Sequence, residues 1–296
     1  MSGSPSFTAK QIDLTFKLGK GDFGAAGQNT LKVSGCRILA QLSFITGTGS
    51  TRGATQAILR VYGLTLNTIN ALAVAGLSFG IRQNTVVIEA GDATSGMAQV
   101  FAGLIIDASL AADEQPDVAF VISAVTAQDL ALKPVPPNSF KGTADVAQIM
   151  QTLAASAGLG FENNGVSVKL SNPYLHGTLM MQMELVGKAA DIGWFIDPAS
   201  NTLAIWPRNG ARGGSIPLIS PASGLIGYPA FSRNIIEIRT LFNPAVKLGG
   251  QIQIPSSEKL ISARGLWNVI GIDYALSSQM PDGPWEMAIR AVNAAQ

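Results

Sequence analysis

Three glycine-rich stretches carry residue types that can hold phosphate. Gly19-Lys20-Gly21-Asp22-Phe23-Gly24 matches GxGxxG. A dinucleotide fingerprint needs a strand before it and a helix opening directly after it, because the helix N-terminus binds the pyrophosphate. Here a strand pattern precedes the loop, but Ala25–Thr30 leads into another strand, so it reads as a hairpin connection. Thr46–Gly53 (TGTGSTRG) lacks the GK[ST] ending, so no lysine reaches a terminal phosphate and no hydroxyl reaches magnesium. It reads as a flexible loop at a strand end. Arg208–Gly214 (RNGARGG) resembles an RGG-type nucleic-acid segment. A single copy with two arginines reads instead as an exposed linker between domains.

Nucleophile and acid–base chemistry is equally sparse. His176 is the one histidine, so no multi-histidine metal site can form. A Ser-His-Asp arrangement assembles in space rather than in sequence, but no G-x-S-x-G elbow is present. His176 reads as a loop residue before a helix. A glycosidase needs two carboxylates at a fixed separation across a cleft. Asp107, Asp113, Glu114, Asp117, Asp273 and Asp282 are scattered and read as structural. Met180, Met181 and Met183 read as helix packing. Cys36 is the single cysteine, most simply a small buried hydrophobe, and no disulfide framework is possible.

The elements that would position these residues are mostly strands. Ile12–Leu18 alternates, then Leu31–Val33, Arg37–Ile45 and Gln56–Tyr62 follow. Leu66–Ala75 reads as a short helix capped by Thr65. Val86–Ala90, Val100–Ala108 and Val118–Val125 complete a set at sandwich or barrel spacing. The proline cluster Lys133–Pro137 reads as a linker. Beyond it Val146, Ile149, Met150 and Leu153 have helical spacing, with Thr143 or Asp145 as cap and Gly158 as stop. Val166–Leu170 alternates as a strand, and Leu179–Ala190 reads as a helix capped by Thr178. Trp194–Ile196 and Thr202–Trp206 flank a turn-rich hairpin. The β pattern resumes with Ile235–Leu241, Gln251–Ile254, Asn268–Leu276 and Trp285–Val292.

Two of these β regions repeat. At an offset of 166, Asp107 falls on Asp273, Leu110 on Leu276, and Val86–Ile88 on Ile252–Ile254. Leu59-Arg60 lines up with Ile238-Arg239, Pro116-Asp117 with Pro281-Asp282, and Ile122, Ala124 and Val125 with Ile289, Ala291 and Val292. So long a period points to two copies of one domain rather than to a solenoid. The expected architecture is mainly β with an α+β insert. Residues 1–132 and 216–296 form two similar tube-type barrel or sandwich domains, and 138–207 form a small helix-and-hairpin domain.

Composition limits the partners. Charged residues are 13% of the 296, against a typical ~25%. A chain so poor in charge struggles to cover its surface, which points to large surfaces buried against other chains. The net charge of +1 argues against a strongly basic nucleic-acid binder. The polar N-terminus MSGSPSFTAK has no signal-type apolar core, and runs such as Val118–Ile122 are too short to span a membrane. Folding in a cytoplasm is therefore expected.

Four stretches, in order, carry a family likeness: Arg60–Thr65 with Asn67–Leu72; Val86–Gly91 with Val100–Ile105; Ala144–Pro207, ending Ala204-Ile205-Trp206-Pro207; and Phe242-Asn243-Pro244, Gly265–Val269 and Pro281–Trp285. The chain resembles the baseplate hub (tail hub) proteins of phages, chiefly those with contractile tails. These are related to the N-terminal part of type VI secretion spike proteins. The resemblance implies a homotrimer whose two tube domains per chain form a pseudo-six-fold ring. That ring would join the six-fold tail tube protein to a three-fold central spike protein, beside other baseplate proteins. It would leave a channel through which DNA passes without sequence-specific binding. The implied place is the virion tail baseplate, assembled in the host cytoplasm.

The expected role is structural rather than enzymatic, with no catalytic residue, cofactor or metal ligand assigned. One alternative is a cell-envelope hydrolase or carbohydrate-binding module, in which a cleft joins His176 or Glu162 to a second acid. Another is the hub of a secretion-type injection machine or of a flexible tail.

Overall fold

The computed structural model describes residues 8–24, 26–48, 54–73, 83–111, 117–257 and 259–294. The first β region contains β1 (Lys10–Lys17), β2 (Thr30–Val33), β3 (Ile38–Ile45), β4 (Gly47–Thr48), β5 (Ala54–Tyr62), β6 (Thr85–Asp92), β7 (Gly96–Ala111) and β8 (Ala119–Val125). Helix α1 (Leu66–Leu72) starts where the Thr65 hydroxyl accepts from the Thr68 amide. Val74 and Ala75, the expected end of that helix, lie outside the described residues, as do Asp113, Glu114 and Pro116.

A short helix α2 (Gln128–Leu132) leads into a small α/β unit. It holds β9 (Asn138–Ser139), β10 (Thr143–Asp145), α3 (Val146–Ser156), β11 (Gly160–Asn163), β12 (Lys169–Ser171), β13 (Tyr174–Leu175), α4 (Leu179–Ala190), β14 (Ile192–Asp197) and β15 (Thr202–Pro207). Of the two candidate caps for α3, the carboxylate serves: Asp145 accepts from the Ala147 and Gln148 amides, while Thr143 lies in β10. Thr178 caps α4 through the Met181 amide. The strand expected over Val166–Leu170 is shifted to Lys169–Ser171. Its first residue is instead held in a turn, the Val166 amide donating to Asn163 Oδ1. The proline cluster is no free linker either. The Val135 amide donates to the Gly177 carbonyl, Pro134 bridges Thr178, and Val135 packs on the core of the unit.

The last region contains β16 (Leu225–Ser232), β17 (Ile235–Leu241), β18 (Gln251–Ile254), β19 (Gly265–Ser278) and β20 (Trp285–Asn293). It does not form a sheet of its own. A single 12-stranded antiparallel sheet runs β16-β17-β20-β19-β3-β5-β8-β7-β6-β1-β2, with β18 on the flank of β19. β3 of the first region pairs with β19 of the last from Ile38↔Ser278 to Ile45↔Gly271. One apolar core underlies both regions, from Ile12 and Phe16 to Ile238, Ile272 and Ile289. A second core belongs to the small unit and centres on Val146, Met150, Met183, Val186 and Leu203.

The sequence repeat reappears as topology. β3-β5-β8-β7-β6 and β16-β17-β20-β19-β18 have the same neighbours in the same antiparallel order. Leu59 faces Ile122, and Ile238 faces Ile289. Ala108 also faces Ile122, and Ile272 faces Ile289. A register irregularity sits at Ile106 in β7 and at Ile270 in β19, so the copies share even a bulge. Those registers correct the alignment of one strand. β7 maps on β19 with an offset of 164, which places Asp107 with Gly271 and Ser109 with Asp273. A slip of two residues keeps every side chain on its face of the sheet, so apolar alternation alone does not detect it.

Candidate functional site

The residues singled out for chemistry are placed apart. The GxGxxG loop closes a hairpin between β1 and β2, with the Leu18 amide donating to the Asn29 carbonyl and Phe23 to Gln28. The TGTG segment is not a free loop in its described part. Gly47 and Thr48 form β4, which pairs with β14 of the small unit. His176 is exposed and stacks on Tyr174 with ring centroids 6.0 Å apart. Met180 and Met183 face the core of the small unit, whereas Met181 is 45% exposed. Cys36 is half-buried against the main core. Asp117 pairs with Arg37 at 2.9 Å, and the Arg37 guanidinium lies 3.8 Å from the Tyr62 ring.

The glycine–arginine loop does something the sequence did not suggest. Arg208, Asn209, Gly213 and Gly214 are exposed as expected of a linker, but Arg212 is only 5% exposed, so the segment is anchored at its middle. Its guanidinium donates through Nε and Nη2 to the Glu162 carboxylate at 2.9–3.1 Å, and through Nη1 to Asp197 Oδ2 at 2.6 Å. Its backbone amide donates to the Gly249 carbonyl. Asn164 ties the next residue in, donating to Glu162 and accepting from the Gly213 amide at 2.7 Å. Arg212 thus pins β11 and β14 of the small unit to the loop before β18. Trp206 reinforces the junction. A Cβ on Gly193 would collide with its Nε1, and one on Gly249 would stand 2.6 Å from its ring.

Electrostatics at this junction runs against a general-acid role for Glu162. Burial alone would raise its carboxyl. The Arg212 hydrogen bonds, the Asn164 hydrogen bond and the charges of Arg212 and Lys247 outweigh it and hold the group below its ordinary value. A general acid for glycoside cleavage needs the opposite shift. Burial depresses the Arg212 guanidinium, but Glu162 and Asp197 more than compensate and keep it charged. Burial, helped by the Asp197 charge, pushes the Tyr274 phenol up, so it stays protonated. The cavity beside these groups is about 80 Å³, with Asp197, Arg212, Phe44 and Tyr274 in its wall, and His176 is not among its lining residues. Among the described residues, no group of three metal-ligating side chains gathers.

The larger feature is the sheet face turned away from the core. One register row crosses six strands as Arg239, Ala288, Asp273, Ser43, Gln56 and Val125. Over the β19–β3 seam lies an open pocket of about 360 Å³ lined by Gln41, Ser43, Gln56, Arg239, Asp273 and Glu286. The Ser43 hydroxyl donates to Asp273 Oδ1, Arg290 donates to Asp273 Oδ2 at 3.0 Å, and Arg239 pairs with Glu286 at 2.7 Å. Ile58 and Ala288 line the same pocket, and each of these arginines is paired with an acid, so the face is mixed in polarity without an excess of positive charge there.

No helix is long and apolar enough to cross a membrane among the described residues. No curated protein sequence matches the chain. The fold is similar to a tail protein from Neisseria meningitidis MC58, with a TM-score of 0.62 at 10% identity over 95% of this chain and 96% of that one. It is also similar to the 43 kDa tail protein of prophage MuSo2 from Shewanella oneidensis, with a TM-score of 0.58 at 10% identity over 96% and 98%. An E. coli type VI secretion component, itself similar to the T4 tail proteins gp27 and gp5, gives a TM-score of 0.56 at 10% identity over 86% and 73%. Residues 54–283 match the model of one family, described as baseplate hub gp41. That match takes in both five-strand copies apart from β3 and β20, together with the whole small unit between them, and the chain belongs to the baseplate hub gp41 family.

Proposed function

We propose that this chain is a non-enzymatic hub of a phage tail baseplate, three copies of which form a pseudo-six-fold ring. The observation that carries the reading is the doubled five-strand order within one continuous sheet of a hub-family chain. Three chains with two like units each present six like surfaces to a six-fold tail tube and keep a three-fold face for a central spike. The units proposed are residues 1–132, 138–207 and 216–296, in keeping with one core shared by the outer two and a separate one in the middle. The Arg212 pin and the β4–β14 pairing fasten the middle unit to the ring, as a shaft under load requires. This sheet face, with its arginines engaged by acids, suits a channel that passes DNA without gripping phosphate, since free lysines and arginines would hold it. Contractile tails, with assembly in the host cytoplasm, are the setting proposed.

Native mass measurement and electron images of the purified chain test this. Three-copy rings with one pore are expected, and monomers alone under assembly-like conditions would end the reading. A hub of a secretion-type machine is the second reading, favoured by the fold shared with the E. coli type VI component. Recovery of the chain from purified virions distinguishes the two.

A further inference from the structure

The seam inside the chain shows how two copies would join. β19 uses one side twice: Gly265–Asn268 pair with β18, and Gly271–Ser278 pair with β3. Its counterpart β7 uses that side once. Gly96–Leu104 pair with β6, while among the described residues Asp107–Ala111 pair only with β8, on the other side. The counterpart of β3 is β16, and among the described residues β16 pairs only with β17. Among the described residues, one strand edge therefore lacks its neighbour, and one strand of the matching kind lacks an edge.

We propose that β16 of one copy adds to the free edge of β7 in a second copy, antiparallel, with Phe231 opposite Leu110. The inference rests on the three-copy reading above. The register follows from the repeat. Tyr274 faces Leu42 across the seam. The 164-residue offset carries Tyr274 to Leu110. Leu42 faces Ala57, and Phe231 faces Ile236, which occupies the same place in the second copy, so Leu42 corresponds to Phe231.

Exposure supports this pairing. Tyr274 and Leu42, with the seam closed, are 8% and 2% exposed. Leu110 and Phe231 are each 45% exposed, although Leu110 shares its strand face with buried Ala108 and Phe231 packs its ring 6.3 Å from Trp267. Two large apolar side chains on the core face stand in solvent for want of the strand that each would supply to the other. The flanking pairs are small on both sides, Ser109 with Ser232 and Ala111 with Ala230. Such a head-to-tail contact is heterologous and closes into a ring when its rotation divides a full turn. Seams within chains would then alternate with seams between chains, six alike around three copies. The exposed strand edges, which otherwise invite aggregation, would be hidden.

Paired cysteines test the register. In a Cys36→Ser background, Leu110→Cys with Phe231→Cys brings two thiols onto facing antiparallel positions, where Cα atoms are about 4.5–5.5 Å apart and within disulfide range. Oxidation should give covalent dimers and trimers on a non-reducing gel, and neither single variant should. In parallel, native mass spectrometry should find Leu110→Glu and Phe231→Arg each reduced to monomers, and the double variant Leu110→Glu/Phe231→Arg restored to trimers. If the unmodified chain is trimeric but the cysteine pair does not cross-link and Leu110→Glu stays trimeric, the joint is wrong while the trimer stands. If the unmodified chain is monomeric throughout, the three-copy reading falls and takes the joint with it. Circular dichroism reports folding of the charge variants, and the cysteine pair decides the question if one of them unfolds.

Discussion

Arg212 donates to Asp197 across 2.6 Å while its other edge grips Glu162, and this one side chain links a glycine-rich loop to two strands of the small unit. Removing one partner of such a buried pair leaves a charge without compensation, which typically costs about 3–5 kcal/mol. Arg212→Met should therefore lower the urea-unfolding stability by about that amount. Arg212→Lys should lose less, keeping the charge, but should not match the unmodified chain, because one ammonium cannot serve both carboxylates in the fork geometry. An Arg212→Met variant as stable as the unmodified chain would show that the pin contributes no stability.

The same cluster sets an acid limb. Glu162 titrates below its ordinary value in the folded chain, as does Asp13, where burial is opposed by hydrogen bonds from Gln11, Lys32 and Ser34 and by the Lys32 charge. A lowered folded value adds stability that is present above the unfolded value, about 4.3 for Glu and 3.9 for Asp, and is lost as pH falls through the folded one. Urea midpoints should thus drop steeply below about pH 4. Glu162→Gln should start less stable at pH 7 and fall less steeply, narrowing the gap as pH drops. Parallel curves for the two proteins would exclude Glu162 from the acid limb.

Trp206 is held where two glycines allow it. Gly249 has φ +78 and no room for a Cβ beside the indole. Gly142 has φ +83 but open space around it. Gly142→Ala should cost about 1 kcal/mol for the left-handed backbone, and Gly249→Ala a further 1–3 kcal/mol or so for overpacking. Tryptophan fluorescence should shift only for Gly249→Ala. Equal losses at the two sites would mean the indole moves aside freely.

The shared sheet predicts that the two β regions cannot be parted. Residues 216–296 alone would leave the Gly271–Ser278 edge of β19 bare, and residues 1–207 would leave β3 bare. Each piece expressed alone should be insoluble, while the two co-expressed should co-purify. A soluble, folded 216–296 fragment would show that the seam is dispensable.

Much of this architecture could be read from residue order. Alternation marked Arg37–Ile45 and Gln56–Tyr62, which the structure places at Ile38–Ile45 and Ala54–Tyr62, helical spacing marked α3 and α4, and Thr65 and Thr178 announced their caps. β4, β9 and β13 were not visible, because a two-residue strand has no period. Arg212 was misread for a related reason. Its neighbours Gly210, Gly213 and Gly214 mark a loop, and loops are usually solvated. Only the folded chain brings Glu162 and Asp197, 50 and 15 residues away, to bury it.

The sequence by itself determined the β-rich character, the doubled unit, the different middle unit and the absence of a recognisable catalytic motif. These rest on local period and on composition, which a linear chain carries openly. Tertiary structure decided that the two copies share one sheet, that β7 aligns with β19 at 164 rather than 166, and that Leu110 and Phe231 stand exposed on core faces. Strand registry and the identity of a neighbouring strand are set by contacts between distant residues. Alternation reads the same after a slip of two, so only pairing in space separates the alternatives.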